Sequence, residues 1–284
     1  MEKKDKILIT GGTGTTGSRI AKKLTELGHN VRIASRAKSQ IAGTERVHFD
    51  WHDGATYERS LENVKKLYLV APAGVFDPAP IVLPFLDMAL KAGVQRIVML
   101  SALIIPDDGP VFGKLHEAVI KQAPEWAVLK PSYFMQNFIN LQHGLTIKNE
   151  SRIITATGNG KIGFIDAEDI AEVGVRALID EIPHNTSHVI TGPQALSYSE
   201  VAAMIGSVIG RTIKHVNIHK STLQEKLAKA GLSMDYARFM ADLDENIGNG
   251  AEKLVTDTVE RVTGRKPRSM SDFISAHTRY WIQE

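Results

Sequence analysis

The stretch TGGTGTTG, residues 10–17, follows directly on the apolar run KILI. Gly11, Gly14 and Gly17 have the spacing G-x-x-G-x-x-G. In such a turn one glycine allows a tight reversal, one allows the backbone to approach a pyrophosphate, and one allows a helix to pack closely on a strand. The phosphates are expected at the N-terminus of the following helix, where free N–H groups favour an anion. The predicted cofactor-binding residues of this turn are Gly11, Thr13, Gly14, Thr15, Thr16 and Gly17.

Short β-branched runs alternate with helical patterns from the start of the chain to about residue 131. The strand candidates are KILIT, VRIAS, RVHF, KLYLV, RIVML and WAVLK. Between the first two, apolar residues recur at helical spacing until Gly28, where a left-handed cap is expected. Alternation of this kind indicates a parallel sheet with crossover helices. We therefore predict an α/β protein with a Rossmann-type, doubly wound parallel sheet.

The pattern changes after Pro131. Longer loops, a Gly-Asn-Gly turn at 158–160 and several helical segments follow. The tetrapeptide SYSE at 197–200 has the form of a capping box at the start of one of these helices. We predict a nucleotide-binding domain over residues 1–150 and a smaller, mainly helical substrate region over 151–284, with segments of the two interleaved.

Composition and charge exclude several classes of protein. A chain of 284 residues with 43% hydrophobic residues can bury a large core. The formal net charge is +2 and both signs are scattered along the chain, so no surface for nucleic acid or an anionic membrane is expected. There is no cysteine, which excludes disulfides and thiolate chemistry. No run has the length of a membrane span or the form of a signal peptide, so we expect a soluble cytoplasmic protein.

The residues after the second predicted strand indicate which cofactor binds. NAD-binding proteins usually place an Asp or Glu about 20 residues after the glycines, to accept a hydrogen bond from the ribose 2′-hydroxyl. This chain has Ser35 and Arg36 there instead. A guanidinium pairs with a 2′-phosphate, which a carboxylate would repel. The prediction is therefore NADP(H), and the alternative is that Arg36 is only a solvated loop residue.

Two further segments are expected to contact the cofactor. Asp50 follows the third predicted strand, from where the adenine can be reached, although a turn-forming aspartate is an equally good interpretation. His48 and His52 lie nearby, but strand geometry does not bring them together, and no metal site is predicted. Ala71 and Pro72 leave the fourth strand in the loop APAGVFDPAP and are expected to face the cofactor.

Several longer segments make the chain resemble a known family. They are GPVFGKLHEAVIKQ at 109–122, LKPSYFMQNF at 129–138, TGNGKIGFIDAEDIAEVGVRAL at 157–178, TGPQALSYSEVA at 191–202 and the closing TGRKPRSMSDF. Together with the glycine turn they resemble the NmrA-like atypical short-chain dehydrogenases, particularly the ergot alkaloid biosynthesis dehydrogenases and their bacterial relatives. The resemblance implies an NADP-binding Rossmann domain, a small C-terminal substrate region, and oxidation or reduction of a small organic molecule.

The usual proton donor of short-chain dehydrogenases is absent. Those enzymes use a Ser with a Tyr-x-x-x-Lys, in which the Lys lowers the pKa of the Tyr that protonates the carbonyl oxygen. No tyrosine of this chain has a lysine four residues later. The predicted catalytic residues are Ser101, Lys114 and Tyr133, and either Lys114 or His116 is the nearest substitute for the missing proton donor. The alternative interpretations are a polar strand end for Ser101, a solvated helix face for Lys114 and core packing for Tyr133.

The missing Tyr and Lys pair predicts the kind of acceptor. A carbonyl becomes an alkoxide on receiving hydride and needs a proton, whereas an iminium ion becomes a neutral amine by hydride transfer alone. Quinones and azo compounds are activated enough for solvent to supply the proton. We expect a reductase of small imine, quinone or azo substrates, acting as a monomer or homodimer, in which the protein mainly aligns cofactor and acceptor. The alternative is an NADP-binding redox sensor without turnover, since the same family contains such regulators.

Overall fold

The computed structural model describes residues 5–38, 41–109, 111–140 and 143–282. The strands are β1 Lys6–Thr10, β2 Asn30–Ser35, β3 Glu45–His48, β4 Val64–Leu69, β5 Arg96–Leu100, β6 Glu125–Pro131, β7 Arg152–Thr155, β8 Lys161–Ile162, β9 Thr186–Ile190, β10 Leu196–Ser197 and β11 Lys214–Asn217. The α-helices are α1 Thr15–Glu26, α2 Tyr57–Leu61, α3 Ala79–Lys91, α4 Gly113–Gln122, α5 Gly144–Glu150, α6 Ala167–Ile179, α7 Tyr198–Ile209, α8 Lys220–Lys229, α9 Met234–Gly248, α10 Thr258–Thr263 and α11 Met270–His277.

Seven strands form one sheet in the order β3-β2-β1-β4-β5-β6-β9. β1 pairs in parallel with both β2 and β4, and parallel pairing continues outward to β3 and to β6. The chain order reverses between β1 and β4. Open α/β sheets bind ligands at such a switch point, beyond the carboxyl ends of the strands. All six strands predicted from the sequence are present, and the predicted Rossmann-type parallel sheet is confirmed.

Contacts divide the chain into two compact units. The first consists of Met1–Lys130 and Ile170–Val189, and the second of Pro131–Asp169 and Ile190–Glu284. Each unit is therefore built from two separate segments of the chain. The cofactor-binding domain at 1–150 and the substrate region at 151–284 stay a prediction.

Helices cover both faces of the sheet in the first unit. Leu8 of β1 and Leu67 of β4 are buried in one cluster with Val82 of α3. Successive side chains of a strand point to opposite faces. The hydroxyl of Tyr68 accordingly donates to Thr16 of α1, at 3.0 Å. α1 and α3 therefore lie on opposite sides, which is the doubly wound arrangement.

The second unit is mainly helical, with one short antiparallel pair of strands, β8 and β10, and one parallel pair, β7 and β11. Its core contains Phe138, Phe164 and Trp281, and the indole N–H of Trp281 donates to the carbonyl of Phe138 at 2.7 Å. Ser197 and Glu200 form the predicted capping box at the start of α7. Within the described part of the chain, no helix is long and apolar enough to cross a bilayer.

Candidate functional site

The glycine turn joins β1 to α1 at the switch point of the sheet. Gly11 has a φ of 61°, and its carbonyl accepts a hydrogen bond from the N–H of Gly14 at 2.8 Å. A β-carbon on Gly17 would lie 2.4 Å from the carbonyl oxygen of Gly11, so α1 can start this close to the turn only with glycine at that position. No side chain caps the first turn of α1. Its N-terminal N–H groups fit a bound phosphate.

Gly12 is a further requirement of this turn, and the sequence spacing did not reveal it. A β-carbon on Gly12 would lie 2.2 Å from Cγ2 of Ile33 in β2. The turn therefore passes directly over the neighbouring strand. The only signal in the sequence is that Gly12 follows Gly11, and the spacing rule assigns no role to this second glycine.

The three threonines of the turn have different surroundings. Thr13 is exposed, and its hydroxyl lies 3.3 Å from that of Ser35 at the end of β2. Thr15 is half-buried in the first turn of α1. Thr16 is buried and accepts the hydrogen bond from Tyr68. The structure thus brings Thr13 and Ser35 together, whereas the hydroxyl of Thr16 is engaged with the sheet.

Arg36 directly follows β2 and is exposed. It forms no ion pair with any residue that the structure describes. The hydroxyl of Ser35 accepts a hydrogen bond from the N–H of Ala37 at 3.0 Å, which turns the chain at this point. Arg46 of β3 donates to the carbonyl of Ala37 at 2.8 Å. Since positions 35–38 contain no Asp or Glu, the end of β2 carries positive charge only.

Asp50 forms a turn after β3. Its Oδ1 accepts a hydrogen bond from the N–H of His52 at 3.0 Å, and its own N–H donates to the hydroxyl of Thr56 at 3.1 Å. These hydrogen bonds show the turn-forming role, which is one of the two roles that the sequence allowed for Asp50. The contact of Asp50 with adenine stays a prediction. Ala71 and Pro72 follow β4, on the other side of the switch point, and are half-buried.

Ser101 begins a chain of polar contacts at the end of β5. Its hydroxyl lies 2.6 Å from Nε2 of His116 on α4. Nδ1 of His116 is 3.3 Å from Oδ1 of Asp107, although the geometry is not that of a hydrogen bond. The same Oδ1 accepts a hydrogen bond from Nζ of Lys130 on β6 at 2.9 Å. Sequence reasoning missed Asp107 and Lys130, because no motif connects these two residues, which lie far apart along the chain.

The imidazole in this chain of contacts is neutral at pH 7. Burial lowers the pKa of His116, and the charge of Lys130 lowers it further, which outweighs the opposite effect of Asp107. A neutral imidazole beside a serine hydroxyl can orient a polar group. It is a much weaker proton donor than an imidazolium or a Tyr with a Lys beside it.

Lys114 lies on the solvent side of α4. Its side chain is 70% exposed, and its Nζ is 3.4 Å from Oδ2 of Asp77. Because both side chains are exposed, this ion pair contributes little to stability. It links α4 to the loop that contains Ala71 and Pro72, and the catalytic role of Lys114 stays a prediction.

Tyr133 belongs to the second unit and lies near a buried carboxyl group. Its hydroxyl is buried and has no hydrogen-bond partner among the described residues. The preceding Ser132 donates to Oε2 of Glu252 at 2.8 Å. Burial raises the pKa of Tyr133 well above its usual value, and the carboxylates of Asp244 and Glu252 raise it further. Tyr133 is therefore a protonated phenol at neutral pH.

Glu252 is a candidate site residue that the sequence did not indicate. The side chain is 1% exposed. Burial raises the pKa of Glu252 to about 7, although the hydrogen bond from Ser132 lowers it. Burial also raises the pKa of Asp244 to about 6, against the lowering effect of the N–H of Ala156. A single glutamate in a polar loop has no distinguishing pattern, since only the fold buries it.

Comparison with known proteins assigns the chain to a family. The model of the NmrA-like family matches residues 3–274. The chain is 59% identical to the uncharacterized oxidoreductase YesF of Bacillus subtilis (strain 168), over 99% of this chain and 98% of that protein. It is 37% identical to the agroclavine dehydrogenase of Claviceps fusiformis, over 97% of this chain and 98% of that protein.

A solved structure has the same fold. The NADPH-dependent quinone oxidoreductase of Escherichia coli, complexed with NADPH, matches with a TM-score of 0.82 at 21% identity, over 95% of this chain and 99% of that chain. The protein belongs to the NmrA-like family and is one of its oxidoreductases. The resemblance that the sequence motifs indicate is confirmed.

Replacing Gly17 with alanine should weaken binding of the nicotinamide cofactor. Alanine is favoured over glycine in a helix by about 1 kcal/mol, so propensity alone would stabilise α1. The predicted β-carbon contact with Gly11, at 2.4 Å, reverses this effect. We expect the Kd for NADPH in a fluorescence titration to rise about tenfold or more, a loss of about 1.4 kcal/mol of binding free energy.

Gly54→Ala is the matched control for this variant. A β-carbon on Gly54 meets nothing within 4 Å, and its backbone is not left-handed. This control should bind NADPH as the wild type does. Unchanged binding by Gly17→Ala would contradict the assignment of the turn as a phosphate cradle.

The Glu252→Gln variant should remove a pH-dependent cost to stability. The folded-state pKa of about 7 lies above the usual 4.5, so the folded protein binds this proton more tightly than the unfolded chain does. The cost is absent below pH 4.5, grows as the pH rises to 7 and is complete above it. A shift of this size corresponds to about 3 kcal/mol. Glutamine keeps an acceptor for Ser132, so we expect its midpoint of thermal unfolding to exceed that of the wild type clearly at pH 8 and much less at pH 5.

The control here is Glu225→Gln, because Glu225 is exposed on α8. This variant makes the same chemical change at an exposed position, and its midpoint of thermal unfolding should stay close to that of the wild type. A Glu252→Gln difference that is the same at pH 5 and pH 8 would show that the carboxyl group titrates normally.

Proposed function

We propose that this protein is an NADP(H)-dependent reductase that transfers hydride to a small, electron-poor acceptor: an imine or iminium ion, a quinone or an azo compound. The glycine turn at the switch point carries the proposal, because Gly11 and Gly17 permit the close approach that a bound pyrophosphate requires. Bound NADPH supplies the hydride. Residues 1–150 would hold the cofactor and 151–284 the substrate, in a cytoplasmic monomer or homodimer.

Residues at the ends of four neighbouring strands support the cofactor assignment. The turn after β1 would hold the pyrophosphate, and the ends of β3 and β4 would lie beside the adenine and the nicotinamide. The proposed cofactor contacts are Gly11, Thr13, Gly14, Thr15, Thr16, Gly17, Ser35, Arg36, Asp50, Ala71 and Pro72. NADP is favoured over NAD because Arg36 is exposed and lacks an acidic neighbour, and because the structurally similar quinone oxidoreductase is complexed with NADPH.

The side chains of the first unit that could donate a proton support an acceptor that needs no proton from the protein. Ser101 and the neutral His116 can position a polar group, but they do not replace the proton donor that reduction of a simple carbonyl requires. Lys114 and Tyr133 are the other proposed catalytic residues. An iminium ion needs no proton, while quinone and azo products can take protons from solvent. Relatives named for quinone and for agroclavine are compatible with this range of acceptors.

The proposal is tested by mixing the purified protein with NADPH and a panel of cyclic imines, quinones and azo dyes while cofactor absorbance is followed. Oxidation of NADPH by at least one of these acceptors, with simple aldehydes and ketones inactive, is the expected outcome. Tight NADPH binding without oxidation across the panel would refute the reductase and favour the redox-sensor alternative.

Replacing Arg36 with alanine should reduce the preference for NADPH over NADH. Loss of a charge-assisted contact to phosphate costs about 1.5 to 3 kcal/mol, or roughly 10- to 150-fold in Kd. We expect the Kd for NADPH to rise by this factor and the Kd for NADH to change little. Arg59→Ala, at an exposed arginine on α2, is the control that should preserve both constants. An equal loss for NADPH and NADH would show that Arg36 does not recognise the 2′-phosphate.

A further inference from the structure

The carboxyl group of Glu252 is buried in the second unit, and only one of its two oxygens accepts a hydrogen bond from a described residue. Oε2 accepts the hydrogen bond from Ser132 at 2.8 Å, while Oε1 is buried without a partner among the described residues. Neither Glu252 nor Asp244 forms an ion pair with a described lysine, arginine or histidine. A buried carboxylate oxygen without a donor or counter-charge is strongly unfavourable. When this carboxyl group ionises, above its pKa of about 7, no described residue compensates its charge, and another molecule can do so.

The surroundings of Glu252 are aromatic and anionic. The charges of Asp244 and Glu252 both raise the pKa values of Tyr133 and Tyr198 beyond the effect of burial. Tyr133 directly follows Ser132, which holds Glu252, and it packs against the core cluster that contains Tyr198. The hydroxyl of Tyr133, like Oε1 of Glu252, is buried without a partner within the described ranges. Carboxylates together with electron-rich rings are the groups that bind organic cations.

Other classes of ligand fit the surroundings of Glu252, Asp244 and Tyr133 less well. An anion would be repelled by Glu252 and Asp244, and a neutral apolar molecule would leave the charge of Glu252 uncompensated. Among the described residues no three acidic or histidine side chains are grouped as ligands for a metal ion. A compact organic cation remains, because its charge compensates the ionised Glu252 and is attracted to the electron-rich ring of Tyr133.

We propose that Glu252, held by Ser132 and aided by Tyr133, binds a positively charged nitrogen of the substrate, an iminium or ammonium ion. This inference rests on the proposed reductase function and narrows its acceptors to cationic nitrogen compounds. Glu252 is the counter-charge, and Ser132 fixes its orientation through Oε2. Asp244 on α9 adds long-range negative charge. An iminium acceptor becomes a neutral amine on receiving hydride, so the attraction between product and Glu252 weakens until the amine is protonated.

The test measures binding without turnover. The probe is N,N-dimethyl-tetrahydroisoquinolinium, which has a permanent charge and accepts no hydride, and its uncharged carbon analogue is gem-dimethyl tetralin. Both are titrated by calorimetry into the protein saturated with NADP⁺ at pH 8, above the pKa of about 7 of Glu252. The wild type is expected to bind the cation about tenfold or more tightly than the neutral analogue, a difference of about 1.4 kcal/mol.

Four variants make the result specific. Glu252→Gln should abolish the preference for the cation, and Ser132→Ala should reduce it. Tyr133→Phe should weaken cation binding severalfold, and Glu225→Gln should behave as the wild type. Retained NADP⁺ binding in each variant verifies folding. Equal wild-type affinity for the two probes, or an unchanged preference in Glu252→Gln, would overturn the proposal.

This experiment separates the cation site from the reductase function. Preferential cation binding without NADPH oxidation by any acceptor would keep the site and refute the reductase. Oxidation of NADPH by neutral quinones, together with equal binding of the two probes, would keep the reductase and refute the site.

Discussion

The close approach of α1 to the turn after β1 determines what the carboxyl edge of the sheet can bind. Since the position of a Gly17 β-carbon is blocked by the carbonyl of Gly11, any side chain there would push the helix away from the strand. With glycine, the helix starts beside the switch point, where its dipole and free N–H groups favour phosphate. The sheet order then brings the ends of β2 and β4 to the two sides of the same turn. The proposed cofactor contacts of Arg36 and Ala71 depend on this one approach.

Local patterns predicted the strands and the glycine turn of the first unit and one helix start of the second unit. The short β-branched runs of all six strands, the glycine turn and the capping box at Ser197 depend on neighbouring residues, and each is present in the structure. The contact between Gly12 and Ile33 and the one between Asp107 and Lys130 were not predictable, because each joins segments that only the folded sheet brings together. Asp50 was ambiguous for another reason. The sequence allowed two roles for it, turn formation and adenine contact, and the local hydrogen bonds show the first.

The second unit illustrates why buried charge escapes sequence analysis. Glu252 lies in a loop whose composition is ordinary, and its unusual pKa comes entirely from the fold around it. The same applies to Tyr133, which the motif KPSYFMQN indicated but whose unpartnered hydroxyl no spacing could show. Burial has different consequences for the charge states of His116 and Glu252. Burial makes the imidazole a neutral partner for Ser101, whereas it leaves the carboxyl group in need of a cation or a proton.

In the proposed reaction, hydride passes from NADPH to an acceptor that requires no proton from the protein. The most direct measurement uses NADPH deuterated at both C4 positions with an iminium acceptor in ordinary water, followed by mass spectrometry of the amine. The amine is expected to carry one deuterium, on the carbon next to nitrogen, and the rate is expected to change little in heavy water. An unlabelled product, or a rate that falls severalfold in heavy water, would contradict the proposed reaction.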